Sequence, residues 1–343
     1  MNRTLSLILT TILLAACISC EKQERQDPST GTVSSVRVTV GASASADFTK
    51  TTGLFEEDLQ EINSIQVFVF RGGEFVNRSD NGLGAITEMA LETNSTGLDF
   101  DFVVVANNYR RDDDRWVIDF NDIVTPDDIF AKVAEFSDLS PDNLLMAGRC
   151  TRTVSLDSRA VDVAVRRLVA KIELRKIAVN LQSDLMRVHN MTLQAVYVIN
   201  AVSRQTVAGV TPDEGFVYYN RYRAEDGPWS ALTYDAKLTP FPLNTGSTRQ
   251  AKDYTTPHSF FVFANATELH TRLVIEVLYN GTDKLYYATD LGEIEAGKAY
   301  TVTCATIRGR GSLDPAVDPE KAIFSVSATV LDWETGFEKE IDL

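Results

Sequence analysis

The feature that most constrains this chain is a period of two in its apolar residues. Side chains on a strand alternate between the two faces of a sheet, so apolar residues at every second position predict a strand with one buried face. Clusters of Gly, Asn, Asp and Pro separate these runs, which begin at Val36, Ile65, Phe100, Val161, Leu193, Val302 and Phe324. Many short strands of this kind predict an all-β protein built from antiparallel β-sandwiches.

One helix interrupts the strands. Thr125 is a suitable N-cap, Pro126 suits the first helical position, and the two aspartates that follow favour the helix dipole. The residues predicted to share its buried face are Ile129, Val133 and Phe136. We therefore expect a short connector helix that lies on a sheet.

A change of phase predicts the domain boundary. Apolar residues lie at odd positions from Val161 to Val165 and at even positions from Leu168 to Leu174. A slip of one residue turns every side chain to the other face, so Arg166 and Arg167 mark the passage between two cores. A length of 343 residues fits two domains. We place them at residues 32–166 and 167–343.

The N-terminus predicts export. Arg3, a short apolar run and the small pair Ala15-Ala16 form a secretory signal over residues 1–16. Leu14-Ala15-Ala16-Cys17 resembles the bacterial lipobox, in which the cysteine is lipidated and the signal is removed before it. Cys17 is therefore the predicted lipid anchor and Cys20 the alternative, and polar residues 17–31 form a tether.

The sequence contains little that indicates catalysis. Nucleophile-elbow, phosphate-loop and zinc-protease motifs are absent, and the three histidines lack metal-ligand spacing. We expect no cofactor and no metal site, although the carboxylates at 112–114 leave calcium binding open. A formal charge of −15 argues against nucleic acid as a partner.

Aromatic residues concentrate between residues 215 and 229. The cluster can stack on sugar rings or on a partner protein, or it can be a hairpin whose alternate rings fill the core. The candidate ligand contacts are Tyr218, Tyr219, Tyr222 and Trp229.

Several segments resemble the fimbrillin family of Bacteroidales, which forms type V pili. The matching stretches are "INSIQVFVF" at 62–70, "VRRLVAKIEL" at 165–174, "GKAYTVTCATIRGRGSLDP" at 297–315 and "FSVSATVLDWE" at 324–334. The resemblance implies two consecutive transthyretin-like β-sandwich domains and no enzymatic activity. It also agrees with the lipobox, because these pilins travel as lipoproteins.

The resemblance further implies activation by a trypsin-like protease. In the family, cleavage after the first strand removes that strand, and a C-terminal strand of another subunit fills the groove. The first strand here is 33–41, with Val36, Val38 and Val40 on one face. The implied cut follows Lys50, with Arg37 as the alternative. The implied donor strand lies near 323–333 and presents Phe324, Val326, Ala328 and Val330.

The sequence thus predicts a structural subunit of a cell-surface fimbria that supports adhesion. Its expected partners are other fimbrial subunits, a maturation protease and the outer membrane, which it contacts through the lipid before release. Two alternatives are an anchor subunit that keeps its lipid and a surface lipoprotein that binds glycan through the aromatic cluster. A hydrolase using a carboxylate pair is a third.

Overall fold

The first part of the chain forms strands where apolar residues alternate in the sequence. The computed structural model describes residues 31–42, 62–215, 217–219, 230, 232–234, 238–332 and 338–342. The elements as far as residue 167 are β1 Thr32–Ala42, β2 Ile65–Arg71, β3 Glu74–Asn81, β4 Ile86–Thr93, β5 Leu98–Ala106, β6 Tyr109–Arg110, β7 Arg115–Trp116, helix α1 Pro126–Ala131, β8 Val133–Glu135, a 3-10 helix Phe136–Asp138, β9 Met146–Val154 and β10 Ala160–Arg167.

Seven of these strands form one sheet that folds over on itself. Their order is β3-β2-β5-β9-β10-β1-β4. Among the described residues, β9 and β10 share two residue pairs at one end, Met146 with Arg167 and Ala147 with Arg166. The sheet turns at this corner, and a core from both halves, including β1, β2, β4, β5, β9 and β10, fills the space between them. This arrangement is the first β-sandwich.

The second part of the chain forms another sandwich from two sheets. Its elements are β11 Val169–Leu174, β12 Ile177–Val179, helix α2 Asp184–Arg187, β13 Met191–Ile199, β14 Ala201–Val202, β15 Arg204–Thr206, β16 Tyr218–Tyr219, β17 Phe241–Thr245, β18 Gln250–Ala251, β19 His258–Phe263, β20 Arg272–Tyr279, β21 Asp283–Asp290, β22 Lys298–Ile307, β23 Phe324–Asp332 and β24 Glu338–Asp342. One sheet has the order β19-β11-β22-β23-β24, with β12 beside β22, and the other has the order β18-β17-β13-β20-β21. Their facing residues form a single apolar core.

A third core joins the two sandwiches. β10 ends at Arg167 and β11 begins at Val169, and the two strands belong to different sheets. Side chains from both parts of the chain, including Phe68 and Phe263, pack together at this junction. β8 also pairs with β15 across it. Shared apolar and backbone contacts hold the two sandwiches together. Whether the chain divides into two separate domains at residues 166–167 stays a prediction.

Helix α1 begins where the sequence predicts and ends earlier. Pro126 and Ile129 are buried, but the helix stops at Ala131. Val133 lies on strand β8 with 39% of its surface exposed, whereas Phe136 is buried on the 3-10 helix. The predicted common face of Ile129, Val133 and Phe136 is therefore wrong, because pairing with β15 draws residues 133–135 into an extended conformation.

Asp128 caps the first turn of α1 and allows a test of stability against pH. Its carboxylate accepts hydrogen bonds from the backbone N–H of Thr125 at 2.7 Å and of Val124 at 3.0 Å, which lower the pKa of Asp128. A lowered folded-state pKa stabilises the fold above the ordinary carboxyl pKa, and this contribution disappears as pH falls through the folded value. We expect Asp128→Ala to lower the melting temperature at pH 7 and to approach wild type as pH falls below the lowered pKa of Asp128. Melting curves against pH, with Asp127→Ala as the control, test this; an equal deficit at every pH would contradict it.

Candidate functional site

Strand β1 occupies the middle of one layer of the first sandwich. It pairs antiparallel with β4, from Thr32 opposite Thr93 to Thr39 opposite Ile86, and parallel with β10. Its inward side chains are almost completely buried, with exposures of 0% for Val36, 0% for Val38 and 4% for Val40. The three valines predicted to share one face therefore do so.

The position of β1 defines a slot with two walls. β4 contributes Met89 and Leu91 on one side, and β10 contributes Val161, Val163 and Val165 on the other. Burial of three valines contributes about 5 to 9 kcal/mol before conformational entropy is subtracted. A chain that lost β1 would expose this apolar slot together with two rows of backbone hydrogen-bonding groups. Such a surface favours capture of another extended strand.

The alternative cleavage site at Arg37 lies inside this ladder. Arg37 is opposite Glu88 on one side and Ala160 on the other, and its N–H donates to the carbonyl of Arg159 at 2.8 Å. Cleavage here would require β1 to leave both neighbours first. Its outward side chain is exposed, but its backbone is enclosed, so the structure argues against Arg37. Lys50 and the lipidation candidates Cys17 and Cys20 lie outside the described residues.

The predicted donor strand is enclosed within its own chain. It corresponds to β23, which pairs with β22 on one side and β24 on the other. Phe324, Val326 and Ala328 are buried in the core of the second sandwich, and Val330 packs against that core half-buried. Donation by β23 would therefore empty one core to fill another. The donor strand near 323–333 stays a prediction, and the enclosed position of β23 is an argument against it.

In the described part of the aromatic cluster, Tyr218 and Tyr219 are both half-buried and make contacts within the chain. Tyr219 packs against the cores and lies 5.2 Å from Phe136, measured between ring centroids. The Tyr218 hydroxyl shares a hydrogen bond of 2.7 Å with Thr267. Tyr219 thus supports the hairpin interpretation, while the candidate contacts Tyr222 and Trp229 lie outside the described residues.

The acidic loop at 112–114 makes internal contacts. It forms the turn of the β6–β7 hairpin, where Asp113 accepts a hydrogen bond from Arg115 at 2.9 Å. This bond and the nearby Arg110 lower the pKa of Asp113. Asp114 accepts a hydrogen bond from the Tyr109 hydroxyl, which raises the pKa of that phenol. Among the described residues, no group of His, Cys, Asp or Glu is arranged to hold a metal ion.

A cavity of about 550 Å³ lies where the sandwiches meet. Its walls include Phe130, Val207 and Ile294, together with three charged residues, Arg166, Arg167 and Glu295. The histidines lie elsewhere: His258 is buried against Tyr254, His270 contacts Asp290, and His189 contacts Asn280. The described residues therefore bring no histidine into the cavity to act as a base.

No helix among the described residues is long and apolar enough to cross a bilayer.

Comparison with known proteins identifies a related family and a shared fold. Residues 34–179 match the family model of the major fimbrial subunit protein (FimA). A protein from Bacteroides eggerthii, described provisionally as a cell adhesion protein, has 22% identity and a TM-score of 0.62, with 90% of this chain and 98% of that chain covered. A FimA fimbrilin from Porphyromonas gingivalis has 15% identity and a TM-score of 0.57, with 90% and 99% covered. These likenesses show the fold, and no curated protein gives a significant match.

Proposed function

We propose that this chain is a fimbrillin, a cell-surface fimbrial subunit that polymerises by donor-strand exchange; the match of residues 34–179 to the FimA family model and the shared fold support this. The matching family consists of structural fimbrial subunits and not of enzymes. The observation that carries the proposal is the position of β1. It is hydrogen-bonded on both sides, buries an apolar face, and precedes the candidate cleavage residue Lys50.

Export and activation form the first steps of the proposal. Cys17, with Cys20 as the alternative, carries the lipid that holds the precursor at the outer membrane. A trypsin-like protease then cuts after Lys50, which separates β1 and the lipid from the rest of the chain. Before the cut, the tether gives β1 an effective concentration of about millimolar or more, so β1 holds its slot against competitors. Cleavage removes that advantage.

The slot can hold a strand from another subunit through main-chain pairing. β1 forms eight residue pairs with β4 and six with β10, and a shorter donor strand can re-form part of both ladders. Alternating side chains then determine the register, as in other cases of β-strand addition. Cleaved subunits joined in this way form a fibre that supports adhesion.

We assign the donor to the end of the chain, from Phe337 to Leu343. β24 is the edge strand of its sheet, so it can leave by breaking the single ladder that it makes with β23. The sequence of residues 337–343, "FEKEIDL", has apolar residues at 337, 341 and 343. These are odd-numbered positions, and Lys339 is the odd-numbered residue between them. With this assignment, Phe324, Val326 and Ala328 of β23 stay in the core of the second sandwich during donation.

Limited digestion with a lysine-specific protease tests the proposal. We expect the first cut after Lys50, identified by intact mass, followed by a ladder of SDS-resistant oligomers on electrophoresis without boiling. Lys50→Ala provides the matched control and should remain intact at this site and monomeric. A wild-type chain that resists cleavage there would favour an anchor subunit, and one that is cut but stays monomeric would overturn donor-strand exchange.

A further inference from the structure

Strands β3 and β4 are joined by a short turn but do not form a backbone ladder with each other. They lie at the two ends of the sheet order, β3 beside β2 and β4 beside β1. Gly84 in the connecting turn has φ of +138°, a conformation that favours glycine. The turn carries the chain from one layer of the sandwich to the other, and it leaves the outer edge of β4 next to β3.

Side chains close the space between these two edges. The Asn77 side-chain amide donates to the carbonyl of Ala90 at 2.8 Å, and that of Asn81 donates to the carbonyl of Ile86 at 2.7 Å. Each bond satisfies a backbone acceptor on the outer edge of β4. Asn77 and Asn81 are half-buried as residues, and both of these hydrogen bonds lie at the protein surface.

Ser79, midway between the two asparagines, adds a third bridge. Its hydroxyl shares a hydrogen bond of 2.6 Å with the hydroxyl of Thr87. Asn77, Ser79 and Asn81 occupy every second position of β3, so their side chains point the same way. We call these three residues and their contacts on β4 the seam. All five residues of the stretch "NRSDN" at 77–81 are polar, so this part of β3 has no apolar face.

The seam matters most when β1 is absent. Among the described strands, β4 forms a backbone ladder with β1 alone. After β1 leaves, β4 keeps its buried side chains Met89 and Leu91 and the seam. β10 keeps its end pairs with β9 and its continuation towards β11. β4 is therefore the wall of the slot that depends on side-chain attachments.

We infer that the seam residues Asn77, Ser79 and Asn81 are positioning residues that hold β4 in place as one wall of the slot after β1 has been cut away. The inference deepens the proposed function and rests on the exchange of β1. In the uncut chain the ladder with β1 dominates, so loss of the seam has little effect on the fold. In the cut chain its loss lets β4 separate from the sandwich, and the slot loses the edge with which an incoming strand would pair.

The test compares wild type with Asn77→Ala/Asn81→Ala after cleavage of the full chain at Lys50. A fluorescent synthetic peptide with the sequence of residues 32–42 is added in excess, and its rate of capture is measured. Hydrogen exchange of the amides at 86–93 is followed in the same samples. Asn143→Ala is the matched control, because it removes an amide that donates to the carbonyls of Asn107 and Tyr109 away from the seam.

We expect the double variant to capture peptide about tenfold more slowly than wild type and to exchange its β4 amides about tenfold faster, because two hydrogen bonds are lost. The uncut variant should melt close to wild type, and Asn143→Ala should capture peptide at the wild-type rate. If the cut double variant captured peptide at the same rate as cut wild type, and its β4 amides exchanged hydrogen at the same rate, the inference about the seam would be overturned. The proposed strand exchange would be unaffected. If the cut wild-type chain captured no peptide, the proposed strand exchange would be wrong. The rate of hydrogen exchange of the β4 amides would then still decide whether the seam holds β4.

Discussion

Val38→Asp is expected to unfold the first sandwich at neutral pH. Val38 has no exposed surface, and it lies opposite Thr87 on β4 and Val161 on β10 in the apolar core. A carboxylate placed there loses its hydration without gaining a partner, so we expect a loss of more than about 4 kcal/mol in the free energy of unfolding. Natural domains have only about 5 to 15 kcal/mol in total. The measurement is a denaturant titration of the purified precursor.

Arg37→Asp is the matched control for this prediction. Arg37 is next to Val38 on the same strand, but its side chain points outward and is exposed. The new carboxylate faces Glu88 across the ladder, so it should lower the free energy of unfolding by about 1 kcal/mol at most, well below the loss expected for Val38→Asp. Similar stability of the two variants would mean that the inward face of β1 is not part of the core. The slot would then lose its role as the acceptor.

The second large effect concerns the C-terminus. Deletion of residues 324–343 should prevent the second sandwich from folding, because it removes β23 together with Phe324, Val326 and Ala328 from the core. Loss of these buried side chains costs about 5 kcal/mol or more, and the ladder with β22 is lost as well. A shorter deletion, of residues 338–343, removes β24 alone and should leave a folded chain. Circular dichroism melting of both truncated precursors tests these expectations.

Assembly of the two truncated chains then identifies the donor. The chain that lacks residues 338–343 should be cut after Lys50 and remain monomeric, because it has an empty slot but no strand to donate. Addition of a synthetic peptide covering 337–343 should fill the slot and compete with polymerisation of the wild-type subunit. A shortened chain that still forms SDS-resistant oligomers would exclude β24 as the donor.

The fold class followed from side-chain periodicity alone. The run Val36-Val38-Val40 became a strand with its valines inward, and so did Val161-Val163-Val165. Thr125 and Pro126 correctly predicted the start of helix α1. These features are local, because alternation and capping depend on residues close together in the chain.

Periodicity was less reliable where both faces of a strand are covered. Ile65 to Phe70 are all buried, because one face of β2 packs in the first sandwich and the other in the junction core. The alternating residues from Leu193 to Ile199 were predicted to share one face of a strand. The register of β13 shifts between Leu193 and Ala195. As a result, Leu193 packs in the core of the second sandwich, whereas Ala195, Tyr197 and Ile199 pack in a separate cluster on the other face of the strand. Bulges of this kind depend on the neighbouring strand.

The sequence by itself therefore determined that strands form and which of their residues are apolar, whereas the sites of export and cleavage stay predictions. The tertiary structure alone decided which strands are neighbours. It placed β1 between β4 and β10, enclosed β23 between β22 and β24, and brought β3 against β4. The physical reason is that ladders join backbone groups common to nearly every residue, so a strand's own side chains specify its buried face but not its partner.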